Sequence, residues 1–249
     1  MKAKIIGIIP SRYASTRFPA KSLTQIKGKS MIRRVYEQAI QAESLSKVVV
    51  ATDHELIYKE VRNFGGEVMM TDPNHLTGTG RCCEVLDQYS GFDFAMNIQG
   101  DEPFIKPAQI DLLANTVLDT EIATLANQIK ISEEIFDPNV VKVVCNVKQE
   151  ALYFSRNPIP FQRNIETKDW IKSNFHLKHL GIYAFRADIL QKITNLETSF
   201  LEKLESLEQL TWLFEGYKIK VAVSEHASYG IDTPEDVEKV LRLLGNEIF

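Results

Sequence analysis

The chain has 249 residues, 44% hydrophobic and 25% charged, with a formal net charge of -4. That is ordinary for a soluble globular protein, and the lack of a basic excess argues against a general nucleic-acid binder. The first apolar run, Ile5 to Ile9, is too short for a signal-peptide core or a membrane span, so no membrane partner is expected and the cytoplasm is the default location.

In chain order, Lys4 to Ile9 predicts a buried strand closed by Pro10. The following segment, Arg12 to Lys21, holds three cations, Arg12, Arg17 and Lys21, at the carboxyl end of that strand. In an open α/β sheet this is where ligands bind. Guanidinium forks and a compact ammonium match phosphate oxygens, so the segment reads as a polyphosphate site, against the plainer alternative of a solvated basic loop. Neither G-x-G-x-x-G nor G-x-x-x-x-G-K-[ST] occurs, which leaves a dinucleotide dehydrogenase or a P-loop NTPase without support.

Val48 to Ala51 predicts a second buried strand, and Thr52 to Glu55 has the capping-box spacing that starts a helix. Gly65 and Gly66 end it before a third strand, Glu67 to Met70. Thr77 to Gly80 breaks the chain ahead of a helix from about Arg81 to Tyr89. Phe92 to Ile98 predicts a fourth strand, closed by Gln99 to Pro103. Alternating β and α elements imply right-handed crossovers and a mostly parallel sheet with helices on both faces, a Rossmann-like α/β fold.

The second half is less regular. Val140 to Val147, Leu180 to Phe185 and Lys218 to Val223 read as strands, and Leu204 to Phe214 as a helix. The polar stretch Gln162 to Asn174 is the candidate lid or excursion from the sheet. Thr233, Pro234 and Asp236 fit the N-cap, N1 and N3 positions of a final helix. No linker interrupts the chain, so 1–249 is expected to form a single domain.

Asp101 follows the fourth strand and so shares a sheet edge with the basic loop. Asp232 stands just before the final helix. One or two carboxylates beside a phosphate chain suit magnesium, although a turn for Asp101 and a helix-start role for Asp232 are the bland alternatives. His176 and His179 lack the further ligands a zinc site needs. Cys82, Cys83 and Cys145 show no C-x-x-C spacing and read as packing residues. No G-x-S-x-G elbow is present.

These residues resemble one family nearly end to end, the 3-deoxy-manno-octulosonate cytidylyltransferases. The resemblance is carried by Ile9 to Lys21, Val50 to Asp53, Asn97 to Pro103, Pro138 to Val144, Ala151 to Arg156, His179 to Tyr183, Leu207 to Leu210 and Gly230 to Asp236. It implies a nucleotidyltransferase fold with a smaller sugar-binding and dimerisation excursion in the second half, and a Mg2+-dependent reaction of CTP with 3-deoxy-D-manno-octulosonate (Kdo). The products would be CMP-Kdo and pyrophosphate, feeding lipopolysaccharide assembly from a cytoplasmic homodimer. The strands near Leu180 to Phe185 are the expected dimer interface.

By the resemblance, Arg12, Arg17 and Lys21 face the nucleotide phosphates and, with Asp101, are the catalytic set. Pro10, Gly78, Arg81 and Gln99 complete the nucleotide site, Gln99 also facing the sugar. Asp101 and Asp232 hold the metal. Ser155, Arg156, His179, Tyr183, Glu208 and Gln209 form the sugar-acid pocket, with Arg156 clamping the Kdo carboxylate. One departure stands out: the family often has an acid where this chain has Gly80, in Thr77-Gly78-Thr79-Gly80-Arg81. Two alternatives remain open, a cytidylyltransferase for another acidic sugar (amino-Kdo or a sialic acid) and a non-catalytic nucleotide-binding module on the same fold.

Overall fold

The structure, a computed structural model, describes residues 3–14 and 18–244. Arg17 lies outside the described residues. The chain forms two compact units, residues 1–111 with 228–249, and residues 112–227.

In the first unit, β1 (Ile5–Ser11) leads through a short hairpin, β2 (Gln25–Ile26) and β3 (Lys29–Ser30), into α1 (Met31–Ala39). Then come β4 (Leu45–Thr52), α2 (Glu55–Asn63), β5 (Val68–Met70), α3 (Gly78–Gln88), β6 (Phe94–Asn97) and α4 (Pro107–Val117), which crosses the unit boundary. β1 pairs in parallel with both β4 and β6, and β4 pairs in parallel with β5. Ile6, Ile8, Ile9 and Val49 to Ala51 are fully buried. Strands buried on both faces read as continuous apolar runs, and each such side chain contributes about 1.5–3 kcal/mol on burial. The fold is thus the expected α/β class, a mostly parallel central sheet flanked by helices.

Helix starts differ from expectation in two places. The cap of α2 is His54, whose Nδ1 accepts from the Leu56 N–H at 3.2 Å, because Thr52 is still the last residue of β4. α3 begins at Gly78, with Thr77 Oγ1 accepting from the Gly80 N–H at 3.1 Å. The glycines read as a chain break are therefore the first helical turn.

The second unit holds β7 (Ile122–Gln128), α5 (Ser132–Phe136), β8 (Lys142–Cys145), β9 (Ala151–Ser155), β10 (Leu177–Arg186), α6 (Ala187–Ile193), α7 (Phe200–Glu205), α8 (Gln209–Phe214) and β11 (Ile219–Val223). β11 runs parallel to β7, whereas β10 is antiparallel to β7 and β8, and β8 to β9. The expected single helix from Leu204 to Phe214 is two, because Ser206 turns into the left-handed region at φ 53°. Gln162 to Asn174 contains a 3-10 turn, Thr167–Ser173, pinned by buried Trp170 against Ile129 and Ile135.

The last helix, α9 (Pro234–Leu244), returns to the first unit. Its capping box is the expected one. Thr233 N–H donates to Asp236 Oδ2 at 2.9 Å, and Asp236 N–H donates to Thr233 Oγ1 at 3.4 Å.

Candidate active site

A cavity of about 290 Å³ opens at the carboxyl ends of β1 and β6. Pro10, Arg12, Lys21, Gly78, Arg81, Gln99, Asp101 and Asp232 all line it, so among the described residues the first unit gathers every expected nucleotide and metal residue. Arg12 is exposed at the cavity.

Lys21 opens a 3-10 turn directly after Ala20, which adopts the left-handed conformation. Its Nζ donates to Asp101 Oδ2 at 2.7 Å and to Asp232 Oδ1 at 3.2 Å. The carboxylates lie 131 positions apart (232 − 101) and are brought together by the backbone, where the Ile231 N–H donates to the Asp101 carbonyl at 3.0 Å. Gly100 makes room for this approach: a Cβ there would stand 2.8 Å from the Pro10 carbonyl oxygen.

This donor set fits a magnesium ion shared with a ligand. Two aspartates are what Mg2+ takes beside phosphate oxygens. Among the described residues no group of three or more His, Cys, Asp or Glu could form an all-protein cage.

Arg81 is buried, only 3% exposed in its side chain, and already partnered. NH2 donates to Asp53 Oδ2 at 3.0 Å and NH1 to Thr71 Oγ1. Gly80, where the acid is missing, has its virtual Cβ 3.2 Å from His75 Nδ1, and His75 Nε2 meets Glu84 Oε2 at 2.6 Å. The imidazole thus borders the space an acidic side chain would claim.

The second unit holds the other expected group. Ser155 Oγ donates to Glu205 Oε1 at 2.6 Å, and the Arg156 N–H donates to Glu205 Oε2 at 2.9 Å. The Arg156 guanidinium donates to backbone carbonyls, from Nε to Glu205 at 2.7 Å and from NH1 to Pro138 at 2.9 Å. It staples the end of β9 to the end of α7. Beneath it, fully buried Lys142 donates to the Arg156 and Asp137 carbonyls at 2.6 and 2.9 Å. Burial pushes the Lys142 ammonium down from its ordinary pKa. Sequence reasoning missed Glu205 and Lys142. The signal available for Lys142 was a charged residue inside the apolar run Val140 to Val144.

β10 shifts register against β7 between His179 and Tyr183, around Gly181 at φ 73°. Such irregularities re-aim side chains beside functional sites. His179 Nε2 lies 2.9 Å from Thr124 Oγ1, and desolvation pushes its pKa down to about 3, so the ring is neutral at pH 7. Burial, then the Glu208 charge, raises the Tyr183 phenol well above its usual range. Gln209 Nε2 is buried without a hydrogen-bond partner among the described residues, and the buried Tyr183 Oη has Thr124 beside it but no hydrogen bond of full geometry. Polar atoms left bare inside a protein are costly, and their natural partner is a polar ligand.

A mostly parallel α/β sheet with cations and paired carboxylates at its strand ends defines the nucleotidyltransferase class. A family model described as cytidylyltransferase matches residues 6–219. A 3-deoxy-manno-octulosonate cytidylyltransferase from Parabacteroides distasonis is 50% identical, covering 98% of this chain and 99% of its own. One from Cytophaga hutchinsonii is 50% identical over 95% and 96%. Among solved structures, CMP:2-keto-3-deoxy-manno-octonic acid synthetase complexed with CTP matches with a TM-score of 0.90 at 41% identity, covering 98% of this chain and 100% of that one. The chain belongs to the 3-deoxy-manno-octulosonate cytidylyltransferase family.

Proposed function

We propose that the protein transfers CMP from CTP to Kdo and releases pyrophosphate. The observation that carries this reading is the Lys21 ammonium held between Asp101 and Asp232 in a cavity that Arg12 also lines. The anomeric hydroxyl oxygen of Kdo bonds to the α-phosphorus, and the bond from that phosphorus to the bridging oxygen breaks, leaving pyrophosphate. Such a reaction needs positioning and charge stabilisation rather than covalent work by the protein.

Lys21 and Arg12 bind the triphosphate and stabilise charge developing on the leaving pyrophosphate. Arg17, which the resemblance places with them, shares that task. Gln99 and Gly78 complete the nucleotide site. Asp101 and Asp232 would hold Mg2+, which neutralises phosphate charge and acidifies a coordinated hydroxyl.

Kdo binds through Ser155, His179, Tyr183, Glu208 and Gln209, supported by the bare Gln209 Nε2 and the poorly bonded Tyr183 Oη. Neutral His179 hydrogen-bonds a sugar hydroxyl. Arg156, whose Nε, NH1 and NH2 each already donate to a backbone carbonyl, offers the N–H groups left over to the Kdo carboxylate. Residues 1–249 act as one catalytic domain, since the family model spans both units. Family membership also supports a homodimer in the cytoplasm, supplying lipopolysaccharide synthesis. No helix of the described residues is long and apolar enough to cross a membrane.

The test is pyrophosphate release from CTP with and without Kdo, in Mg2+ and then in excess chelator. Release that requires both Kdo and metal is the expected result. Equal release without Kdo, or none with it, would sink the reading.

A further inference from the structure

Tyr13 sits between the phosphate-facing cations and is gripped from three sides. Its N–H donates to Asp53 Oδ1 at 3.2 Å. Its carbonyl accepts from the Ala20 N–H at 3.1 Å. Its ring stacks on His54, centroids 3.8 Å apart and planes 13° from parallel. The peptide bond to Arg12 lies on one side of this anchor. On the other, the bond from Ala20 reaches the residue immediately before Lys21.

Asp53 does more than hold Tyr13. Its second oxygen accepts from Arg81, which lines the same cavity. Asp53 and His54 directly follow the last residue of β4, and His54 caps α2, so the grip is tied to the junction of these two elements.

We propose that Asp53 and His54 form a clasp on Tyr13 that positions Arg12 and Lys21 for the triphosphate, making both positioning residues of the nucleotide site. The inference rests on the nucleotide reading above and extends it to residues that touch no substrate. Anchor points held before the nucleotide arrives need not be ordered by it, so the clasp contributes affinity for CTP.

His54 has two separable duties, the stack on Tyr13 and the Nδ1 cap of α2. His54→Asn keeps a capping side chain and loses the ring. His54→Phe keeps a ring and loses the cap. The experiment is calorimetric titration of each variant with CTP and Mg2+, beside its melting temperature.

His54→Asn is expected to weaken CTP binding about threefold to tenfold with a melting temperature near the wild type. His54→Phe is expected to melt lower yet bind CTP within about twofold of the wild type. Asp53→Ala should weaken CTP more than His54→Asn, since it also strips Arg81 of its carboxylate partner. The reverse pattern, with His54→Phe weak and His54→Asn normal, would make His54 only a helix cap and overturn the clasp. So would unchanged CTP affinity in both His54→Asn and Tyr13→Ala. These titrations contain no Kdo, so their outcome is independent of the acceptor. If the wild type binds CTP but releases no pyrophosphate with Kdo, the proposed reaction fails while the clasp is still judged.

Discussion

Lys21 is the residue on which the active-site electrostatics turn. Two carboxylates share its ammonium at 2.7 and 3.2 Å, so removing it leaves like charges facing each other. Lys21→Ala therefore has two effects of opposite sign. Turnover should fall about 100- to 1000-fold, the scale seen when one stabilising donor is lost from a transition state. Affinity of the free protein for Mg2+ should rise, because Asp101 and Asp232 no longer have a resident cation. Kinetics with CTP and Kdo, and a Mg2+ titration without nucleotide, measure the two. A fall in both would mean that Lys21 assembles the metal site instead of competing for it. Gly100→Ala tests the backbone beneath the same residues. Its Cβ would meet a carbonyl oxygen at 2.8 Å, and backbone cannot swing aside. A loss of about 1–3 kcal/mol in urea unfolding is expected, with reduced turnover as Asp101 is displaced.

At the scale of elements, the first unit was legible because its strands are buried on both faces and leave unbroken apolar runs. Ile5 to Ile9 and Val48 to Ala51 reveal their strands without periodicity, and the rule for open α/β sheets then locates the site at their carboxyl ends. The capping box at Thr233 is local chemistry and reads directly. What did not read was set by tertiary packing. Ser206 breaks a helix-like run through its backbone conformation, and Glu205 gains its partners from a strand fifty residues earlier. No local pattern announces either. The excursion's packing is likewise a tertiary matter, and it carries a pH consequence. His176 is buried against Trp170, with Nε2 at 3.1 Å from the Pro160 carbonyl, and burial lowers its pKa. His179 is lowered further, to about 3. For both, the unfolded chain binds protons more readily than the folded one below about pH 6.5, so stability is lost as pH falls through that value. Between pH 6.5 and 5 the loss from His179 alone approaches about 2 kcal/mol. Urea midpoints at pH 7 and pH 5 measure it, and His179→Gln should flatten the difference. An unflattened difference would assign the loss to other groups.

Across the whole molecule, the protein buries polar atoms that its own fold satisfies poorly. Most proteins avoid this, and those that do not usually keep such atoms for a ligand. Tyr183 is the case to test: its buried hydroxyl has Thr124 beside it but no hydrogen bond of full geometry, on a strand whose register shifts just before it. A buried hydroxyl bonded this poorly costs about 1–3 kcal/mol. Tyr183→Phe removes the atom and keeps the ring, which packs edge-on against Trp212 at 5.0 Å. The free variant should therefore be more stable than the wild type, by about 1 kcal/mol in urea unfolding. If Kdo is what satisfies the hydroxyl, the same substitution should raise KM for Kdo up to about tenfold and leave KM for CTP unchanged. The pairing of signs is the test, because a hydroxyl with a purely structural partner would lose stability on removal. A more stable variant with unaltered Kdo kinetics would move the acceptor away from Tyr183. A less stable one would show that the hydroxyl is bonded within the fold.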